Sequence, residues 1–347
     1  MPEKYLVTGA SGFLGYHASK DLIEKGKVVN GLDIHKFNYP DMGEDFHFYQ
    51  GDIRNERPLM ESLEGVDVVV HSAAALPRWS EEEIFSTNVG GTDFLLEKAF
   101  QQGVDRVIYI SSTSVYGIPE THPVDEDYPL NGVGPYGTSK VEAEKVCRKY
   151  RDRGYLVPVL RPKTFAGPYR LGVFSILNDW VESRKNIPVI GDGENKYQLL
   201  HVQDLVDAIN LAATQPENKV NDTFNVGATQ FRTLKEDLQE LLDYAGYGKR
   251  VIPIPSWLVI PGLTLLEKLN LSPLYKWVYA TADVDHYVSV EKIRQTLGWE
   301  PEYSTGEVWT DSYRWYTEEY DSSNEKIGTT HRTSWAQGAL SLAKFFF

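Results

Sequence analysis

Tyr136 and Lys140 stand four residues apart in Tyr136-Gly137-Thr138-Ser139-Lys140, a spacing that puts both on one face of a helix. A free phenol ionises at a pKa of about 10, so a tyrosine works as a base near neutrality only where a cation stabilises its phenolate. Lys140 is the cation this spacing offers. The pair alone is a weak signal, because a Tyr and a Lys fall four apart by chance in many helices. Its setting decides the chemistry.

That setting begins at the amino terminus. The apolar run Tyr5-Leu6-Val7 leads into Thr8-Gly9-Ala10-Ser11-Gly12-Phe13-Leu14-Gly15 and then into a helical pattern. Strand, glycine turn and helix follow one another. Gly9 would make the tight turn, Gly12 would let the backbone approach a pyrophosphate at the helix N-terminus, and Gly15 would permit close packing of helix on strand. A second strand, Val28-Val29-Asn30-Gly31-Leu32, ends in Asp33, 18 residues after Gly15. A carboxylate there suits the adenosine ribose hydroxyls and repels a 2′-phosphate, so NAD is the expected cofactor. NADP is disfavoured, although His35 and Lys36 stand next to that charge. The bland alternative is an ordinary glycine turn with a solvated Asp.

The elements around these residues alternate as in a parallel sheet covered on both faces. Strands are predicted at Tyr5 to Val7, Val28 to Asp33, Phe46 to Gln50, Val66 to Val70, Arg106 to Ser111 and Leu156 to Leu160. Helices are predicted at Phe13 to Glu24, Arg57 to Leu63, Glu81 to Gln101 and Tyr136 to Arg153, the last entered through Pro135. After Arg161-Pro162 the alternation is expected to break down, with Thr223 to Gly227 returning as a strand. The predicted fold is therefore α/β, a doubly wound parallel sheet with a smaller C-terminal substrate domain. Its expected divisions are a dinucleotide-binding domain over 1–165, a substrate domain over 166–318 with segments returning to the main sheet, and a linker and apolar tail over 319–347.

Composition narrows the function classes. With 347 residues, 41% hydrophobic and 24% charged, the chain can bury a sizeable core and reads as an ordinary globular protein. Its net charge of −14 discourages binding to nucleic acid or an anionic membrane. A single cysteine, Cys147, gives no intramolecular disulfide framework and suits a cytoplasmic location; it reads as a packed or surface thiol. The 8 histidines show no metal-site spacing, so no metal is expected. His71 and His201 read as structural.

Further motifs follow in order: Gly51-Asp52-Ile53, His71-Ser72-Ala73-Ala74, Asn88, Ser111-Ser112-Thr113-Ser114-Val115-Tyr116-Gly117, Leu160-Arg161-Pro162 and His201-Val202-Gln203-Asp204. With the glycine loop and the Tyr136/Lys140 pair, they resemble the extended short-chain dehydrogenase/reductase family, also called the NAD-dependent epimerase/dehydratase family, over most of residues 4 to 316. The resemblance implies a Rossmann-type sheet. It also implies that Gly9, Ser11, Gly12, Phe13, Leu14, Gly15, Asp33, Asp52, Ile53, Ala73, Ala74 and Pro162 contact the cofactor together with Tyr136 and Lys140. Asp52 and Ile53 would flank the adenine. Ser112 would hydrogen-bond the reacting oxygen while Tyr136 exchanges the hydroxyl proton and the nicotinamide takes or returns hydride. Lys140 would hold the nicotinamide ribose and lower the Tyr136 pKa, helped by the positive nicotinamide ring. Asn88 would steady the lysine and its water relay. A homodimer through the Glu81 to Gln101 and Tyr136 to Arg153 helices is the usual arrangement in such relatives.

The substrate is less determined than the reaction. Dehydratases of this kind carry Asp-Glu after the catalytic hydroxyl, where this chain has Thr113-Ser114, so elimination of water is not expected. Nucleotide-sugar members usually place Asn within the segment occupied here by Lys163-Thr164-Phe165, and commonly an Arg at the position of Tyr197. A phenol does not replace a guanidinium that grips a diphosphate. Lys163, Arg170 or Lys196 could contact phosphate instead, solvation being the commoner fate of such side chains. Arg78, Thr164 and Tyr197 are the expected substrate contacts, with Trp79 and Phe165 nearby and rim packing as the alternative. Gly191-Asp192-Gly193-Glu194-Asn195 resembles the 3β-hydroxysteroid and sterol-carboxylate dehydrogenase branch, whose substrates are bulky and apolar.

Three readings remain: a dehydrogenase of a secondary alcohol on an apolar, sterol-like molecule; a nucleotide-sugar epimerase that recycles its own NAD; and a non-enzymatic dinucleotide sensor. The presence of Ser112, Tyr136 and Lys140 disfavours the third. Two apolar stretches bear on location. Trp257 to Leu266 is too short and too interrupted by Pro and Gly to span a bilayer. Residues 335–347 could form an interfacial amphipathic helix that touches a membrane peripherally, or pack on the chain's own domain. Polar Asp321-Ser322-Ser323-Asn324-Glu325-Lys326 reads as the linker before that tail.

Overall fold

The computed structural model describes residues 3–40, 42–268 and 282–320, together with residues 331, 333, 334, 344 and 347. Six strands of the first half, β1 (Lys4–Thr8), β2 (Val28–Asp33), β3 (Phe46–Gln50), β4 (Val68–His71), β5 (Arg106–Ile110) and β6 (Val159–Pro162), fall within a few residues of their predicted positions. With β10 (Thr223–Val226) they form a seven-stranded sheet in the order β10-β6-β5-β4-β1-β2-β3. The neighbouring strands pair in parallel, and Val226 of β10 lies beside Pro162 of β6. The strand order reverses between β1 and β4, where a doubly wound sheet opens its ligand crevice.

Period-two alternation in the strands builds two cores, one on each face. Tyr5, Val7, Val68, Val70, Ile108 and Ile110 point to the face covered by α1 (Phe13–Glu24) and the helix Val202–Thr214. Leu6, Val69, Val107 and Tyr109 point to the other face, under α2 (Glu56–Leu63), the helix Thr92–Gln102 and the long helix Gly134–Asp152. Cys147 is fully buried in this second core, where burial pushes its thiol pKa up.

The helix predicted over Glu81 to Gln101 is present, with a π turn inside it. It divides into α3 (Glu81–Phe85), a π turn (Ser86–Gly91) and α4 (Thr92–Gln102). The wide turn lets Asn88 face inward and lets Ile53 press on Gly91, where an added Cβ would lie 2.7 Å from Ile53 Cδ1. Pro135 stands in the first turn of α5 (Gly134–Asp152), where its missing N–H costs nothing.

Beyond Pro162 the structure is more regular than the punctuation by Pro and Gly predicts. Strands β8 (Ile187–Ile190) and β11 (Val251–Ile254) pair in parallel, and two short strands, β7 (Phe165–Ala166) and β9 (Leu200–His201), form another parallel pair. A third core of Val181, Ile187, Val189, Leu241, Leu242 and Tyr313 lies between β8, β11 and helices Val173–Glu182, Leu234–Ala245 and Thr305–Glu318. These elements read poorly in sequence because their apolar residues are few and split between partners distant in the chain.

His201 and Asp204 tie this part to the sheet. His201 accepts the Gln203 N–H, meets Asp311 at 3.1 Å and stacks on Tyr303 at 3.7 Å between ring centroids. The Asp204 carboxylate accepts N–H bonds from Glu302 and Tyr303, and burial raises its pKa to about 6. The helix Ser256–Lys268 contains Pro261 and exposes Trp257 and Leu258. Among the described residues no helix is long and apolar enough to cross a membrane.

The proposed linker at 321–326 lies outside the described residues, as does most of the apolar tail. Lys344 and Phe347, the described residues of that tail, dock on the chain itself. Lys344 pairs with Asp179 at 2.5 Å, and the Phe347 carbonyl accepts from Asn186 N at 3.3 Å and Asn186 Nδ2 at 3.2 Å.

Candidate active site

The turn after β1 is shaped by backbone approaches that leave no room for side chains. Gly9 adopts φ +72°, and a Cβ there would lie 2.9 Å from Ala73 N. A Cβ on Gly12 would lie 2.9 Å from Gly9 O, and one on Gly15 only 2.1 Å from the same atom. Gly15 thus packs helix on strand as predicted. Gly12 caps α1 with no side-chain hydrogen bond. The first helical N–H groups therefore have no competing side-chain cap, which suits an approaching phosphate. Phe13 and Leu14 turn inward and are buried.

Asp33 ends β2 beside this turn. Its carboxylate accepts Ser11 N at 3.0 Å and His35 N at 2.7 Å, while Ser11 Oγ donates to His35 O at 3.0 Å. The Asp33 charge is thus fixed against the glycine turn. Burial pushes the Asp52 carboxyl up, but Arg54, with Nη2 to Oδ2 at 2.6 Å, outweighs it and holds the carboxyl below its usual range. Ile53 is buried in the core beneath α4. Ala73 donates its N–H to Thr8 Oγ1 at 3.3 Å, and Ala74 follows in the same half-buried loop. Pro162 is buried at the end of β6.

Tyr136 and Lys140 lie in the first two turns of α5, over the C-terminal ends of β4 and β5. Lys140 is 2% exposed and donates to Ile110 O at 2.9 Å and Tyr109 Oη at 3.3 Å. Its Nζ stands 6.0 Å from the centroid of the Tyr136 ring. Burial lowers the Lys140 pKa to about 8, with Glu144 among the groups opposing the shift. Burial raises the Tyr136 pKa to about 12, against the neighbouring Ser112 hydroxyl and the positive Arg170. Lys140 is turned toward the β5 carbonyl.

Ser112 follows β5 and plays two parts. Its Oγ accepts Ser114 N at 3.1 Å, capping the 3-10 turn Thr113–Tyr116, and its hydroxyl lies close enough to the Tyr136 phenol to lower its pKa. Asn88 reaches a loop and a helix at once. Its Oδ1 accepts Ala75 N at 2.8 Å, and its Nδ2 donates to Ala75 O at 3.2 Å and to Ser139 Oγ at 3.0 Å. Ser139 in turn donates to Tyr136 O at 2.8 Å. Asn88 therefore fixes the helix turn that carries Tyr136. His71 is structural as predicted, held between Thr8 Oγ1 at 2.8 Å and Thr92 Oγ1 at 3.0 Å, with burial lowering its pKa to about 3.

A buried ion pair that sequence reasoning missed braces this corner. Arg161 on β6 donates to Glu144 on α5, Nε to Oε1 at 2.9 Å and Nη2 to Oε2 at 2.6 Å, and Ser111 Oγ donates to Glu144 Oε1 at 2.5 Å. A signal existed: Glu144 is four residues after Lys140 and shares its helix face.

On the substrate side, Thr164 and Tyr197 meet at 3.4 Å between Oγ1 and Oη. Arg78 is exposed on the loop after β4, and Trp79 is half-buried next to it. Phe165 stacks on Phe13 with centroids 5.8 Å apart. Of the three cations weighed for phosphate contact, only Lys196 is exposed. Arg170 is buried with its guanidinium 5.3 Å from the Phe13 ring centroid. Lys163 is 1% exposed; its Nζ donates to His286 O at 2.9 Å and bonds His286 Nδ1. Its partner lies 123 residues away, beyond the reach of local pattern. Among the described residues no group of His, Cys, Asp and Glu could hold a metal ion.

Comparison with known proteins accords with this geometry. The family model described as NAD dependent epimerase/dehydratase family matches residues 5–227. An uncharacterized protein, y4nG, of Sinorhizobium fredii is 34% identical over 98% of this chain and 85% of its own. The sterol-4-alpha-carboxylate 3-dehydrogenase, decarboxylating, of Mus musculus is 28% identical over 86% of this chain and 87% of its own. The crystal structure of the UDP-glucose 4-epimerase of Thermotoga maritima with UDP-glucose superposes with a TM-score of 0.75 at 25% identity, covering 91% of this chain and 99% of that one. The chain belongs to the NAD dependent epimerase/dehydratase family.

Proposed function

We propose that this protein is an NAD-dependent oxidoreductase acting at a secondary alcohol or ketone carbon of an apolar molecule, with Tyr136 as the proton-transfer group. The carrying observation is the placement of Ser112 beside the Tyr136 phenol, whose pKa it lowers, at the C-terminal edge of the sheet, with the Lys140 Nζ 6.0 Å from the Tyr136 ring centroid. The glycine cradle and the uncapped N-terminus of α1 fit a dinucleotide pyrophosphate, and Asp33 fits an adenosine ribose without a 2′-phosphate. Bound NAD would supply the hydride acceptor.

The chain's own residues manage the proton and the oxygen. Ser112 holds the substrate oxygen by a hydrogen bond, and Tyr136 accepts the hydroxyl proton on its phenolic oxygen as the alcohol is oxidised. Lys140 supplies positive charge beneath the site. Asn88 keeps the Tyr136 turn in place through Ser139. Thr164, Tyr197 and Phe165, the last stacked on buried Phe13, offer uncharged surface, which favours a bulky alcohol over a diphosphate.

A nucleotide-sugar epimerase is the second reading, favoured by the likeness of the whole chain to the UDP-glucose 4-epimerase structure. The two differ in how they treat the cofactor. Protein purified without added cofactor is denatured and any released dinucleotide identified and quantified. A site that binds NAD reversibly, and more tightly than NADP, agrees with the dehydrogenase; near-stoichiometric retained NAD replaces it with the epimerase.

A further inference from the structure

Lys163, His286 and His122 converge from three distant parts of the chain on one small cavity. Thr113, the residue after Ser112, lines the same cavity. Lys163 reaches it from the C-terminal end of β6, and His286 belongs to the segment that pairs with Tyr197 and Gln198. The imidazole of His286 is sandwiched on one side by Tyr197, with centroids 5.8 Å apart, and the Lys163 Nζ stands 5.4 Å from the Tyr197 ring centroid.

The cluster gathers three groups that can carry positive charge. Lys163 makes no ion pair with a carboxylate among the described residues. The acidic side chain that acts on the cluster is Asp285, through His122. Asp285 also accepts the Lys196 N–H at 2.8 Å, and Lys196 itself faces Tyr287 from the solvent side. Tyr116, the other polar wall, has its hydroxyl committed to Arg161 and Asn225. His122 Nε2 is buried with no hydrogen-bond partner. A buried cation without a counter-ion is costly, so such a group either gives up its proton or receives an anion. Burial lowers the Lys163 pKa well below its ordinary value, and burial and the neighbouring Lys163 and His122 do the same for His286.

We propose that Lys163, His286 and His122 form the seat for a carboxylate on the substrate, one oxygen of which enters the cavity beside Thr113. The inference deepens the oxidoreductase reading above and rests on it for the identity of the ligand as substrate. The cavity volume, about 10 Å³, admits one oxygen-sized atom, which fits a carboxylate oxygen and excludes a diphosphate. Proton uptake completes the seat. The His286 carbonyl takes one N–H of the amine, and protonation adds a donor that can be directed to the incoming oxygen. The carboxylate and the proton therefore enter together.

The test is calorimetric titration of the intact protein with acetate, and separately with inorganic phosphate, at pH 7 in two buffers of different ionisation heat. Acetate is expected to bind with proton uptake and to lose affinity as the pH rises. Lys163→Met should lower that affinity about tenfold or more, and His122→Gln should also weaken it. Acetate binding without proton uptake, equal affinity in Lys163→Met, preference for phosphate, or no acetate binding by the unmodified protein would each overturn the proposal. The readout needs no turnover, so loss of the oxidoreductase reading through an active Tyr136→Phe variant would leave acetate binding intact, and the two failures are separable.

Discussion

Glu144 and Arg161 meet in a two-pronged ion pair, with both side chains at or below 5% exposure, that joins the helix carrying Tyr136 to the strand beside Ser111. Three pieces of the active corner are held by this one contact, since Ser111 also donates to Glu144. Glu144→Ala would leave the guanidinium buried against the Tyr116 hydroxyl and a backbone carbonyl without its counter-charge. We expect a loss of ~3 to 5 kcal/mol in unfolding free energy, read by denaturant titration. A loss below ~1 kcal/mol would show that the pair is solvated in solution.

The glycine cradle gives a sharper steric test. Gly15→Ala places a methyl 2.1 Å from Gly9 O, an atom of the backbone that cannot step aside. It should cost about 3 kcal/mol or more and weaken dinucleotide binding, because the displaced turn is the one that would meet the pyrophosphate. Gly90→Ala is the control. Nothing lies within 4 Å of a Cβ there, so its stability should stay within ~1 kcal/mol of the unmodified protein.

The depressed pKa of Lys140 has a definite linkage sign. The folded value is about 8 and the free value 10.5, so between them the unfolded chain binds more protons and folding becomes more favourable as pH rises. Below that window both states hold the proton and the full cost of the buried cation is present. Relative to Lys140→Met, the unmodified protein should gain ~2 kcal/mol of stability between pH about 8 and about 10. A flat difference across that range would mean that Lys140 is not desolvated.

The proposed preference for NAD rests on Asp33. Its carboxylate, fixed by Ser11 N and His35 N, should repel a 2′-phosphate. Asp33→Asn should narrow the preference for NAD over NADP by about tenfold, or ~1.4 kcal/mol, in a binding titration with both dinucleotides. An unchanged ratio would place the discrimination elsewhere.

What the sequence disclosed and what it hid divide by distance along the chain. The β1 turn, α1 and the Tyr136/Lys140 face are local patterns, and a glycine or a four-residue spacing carries its meaning within one or two turns of backbone. The π turn at Asn88 was hidden because its cause, the reach of Asn88 to Ala75 and Ser139, is tertiary. Arg161 and Glu144 are 17 residues apart, and Lys163 and His286 are 123 apart. No periodicity links such pairs, so Lys163 and Arg170 looked like surface cations until the fold enclosed them. The raised Tyr136 pKa was hidden for the same reason, since burial and not the neighbour four residues on dominates it.

The central claim is that Tyr136 carries the proton of an NAD-linked oxidation. Its most direct test is reduced-nicotinamide formation from a panel of secondary alcohols, compared between the unmodified protein and Tyr136→Phe, with dinucleotide affinity measured on both. Turnover should fall by about 10² to 10⁴ while dinucleotide affinity changes little, because only the proton path is lost. Equal turnover in the two proteins would contradict the account.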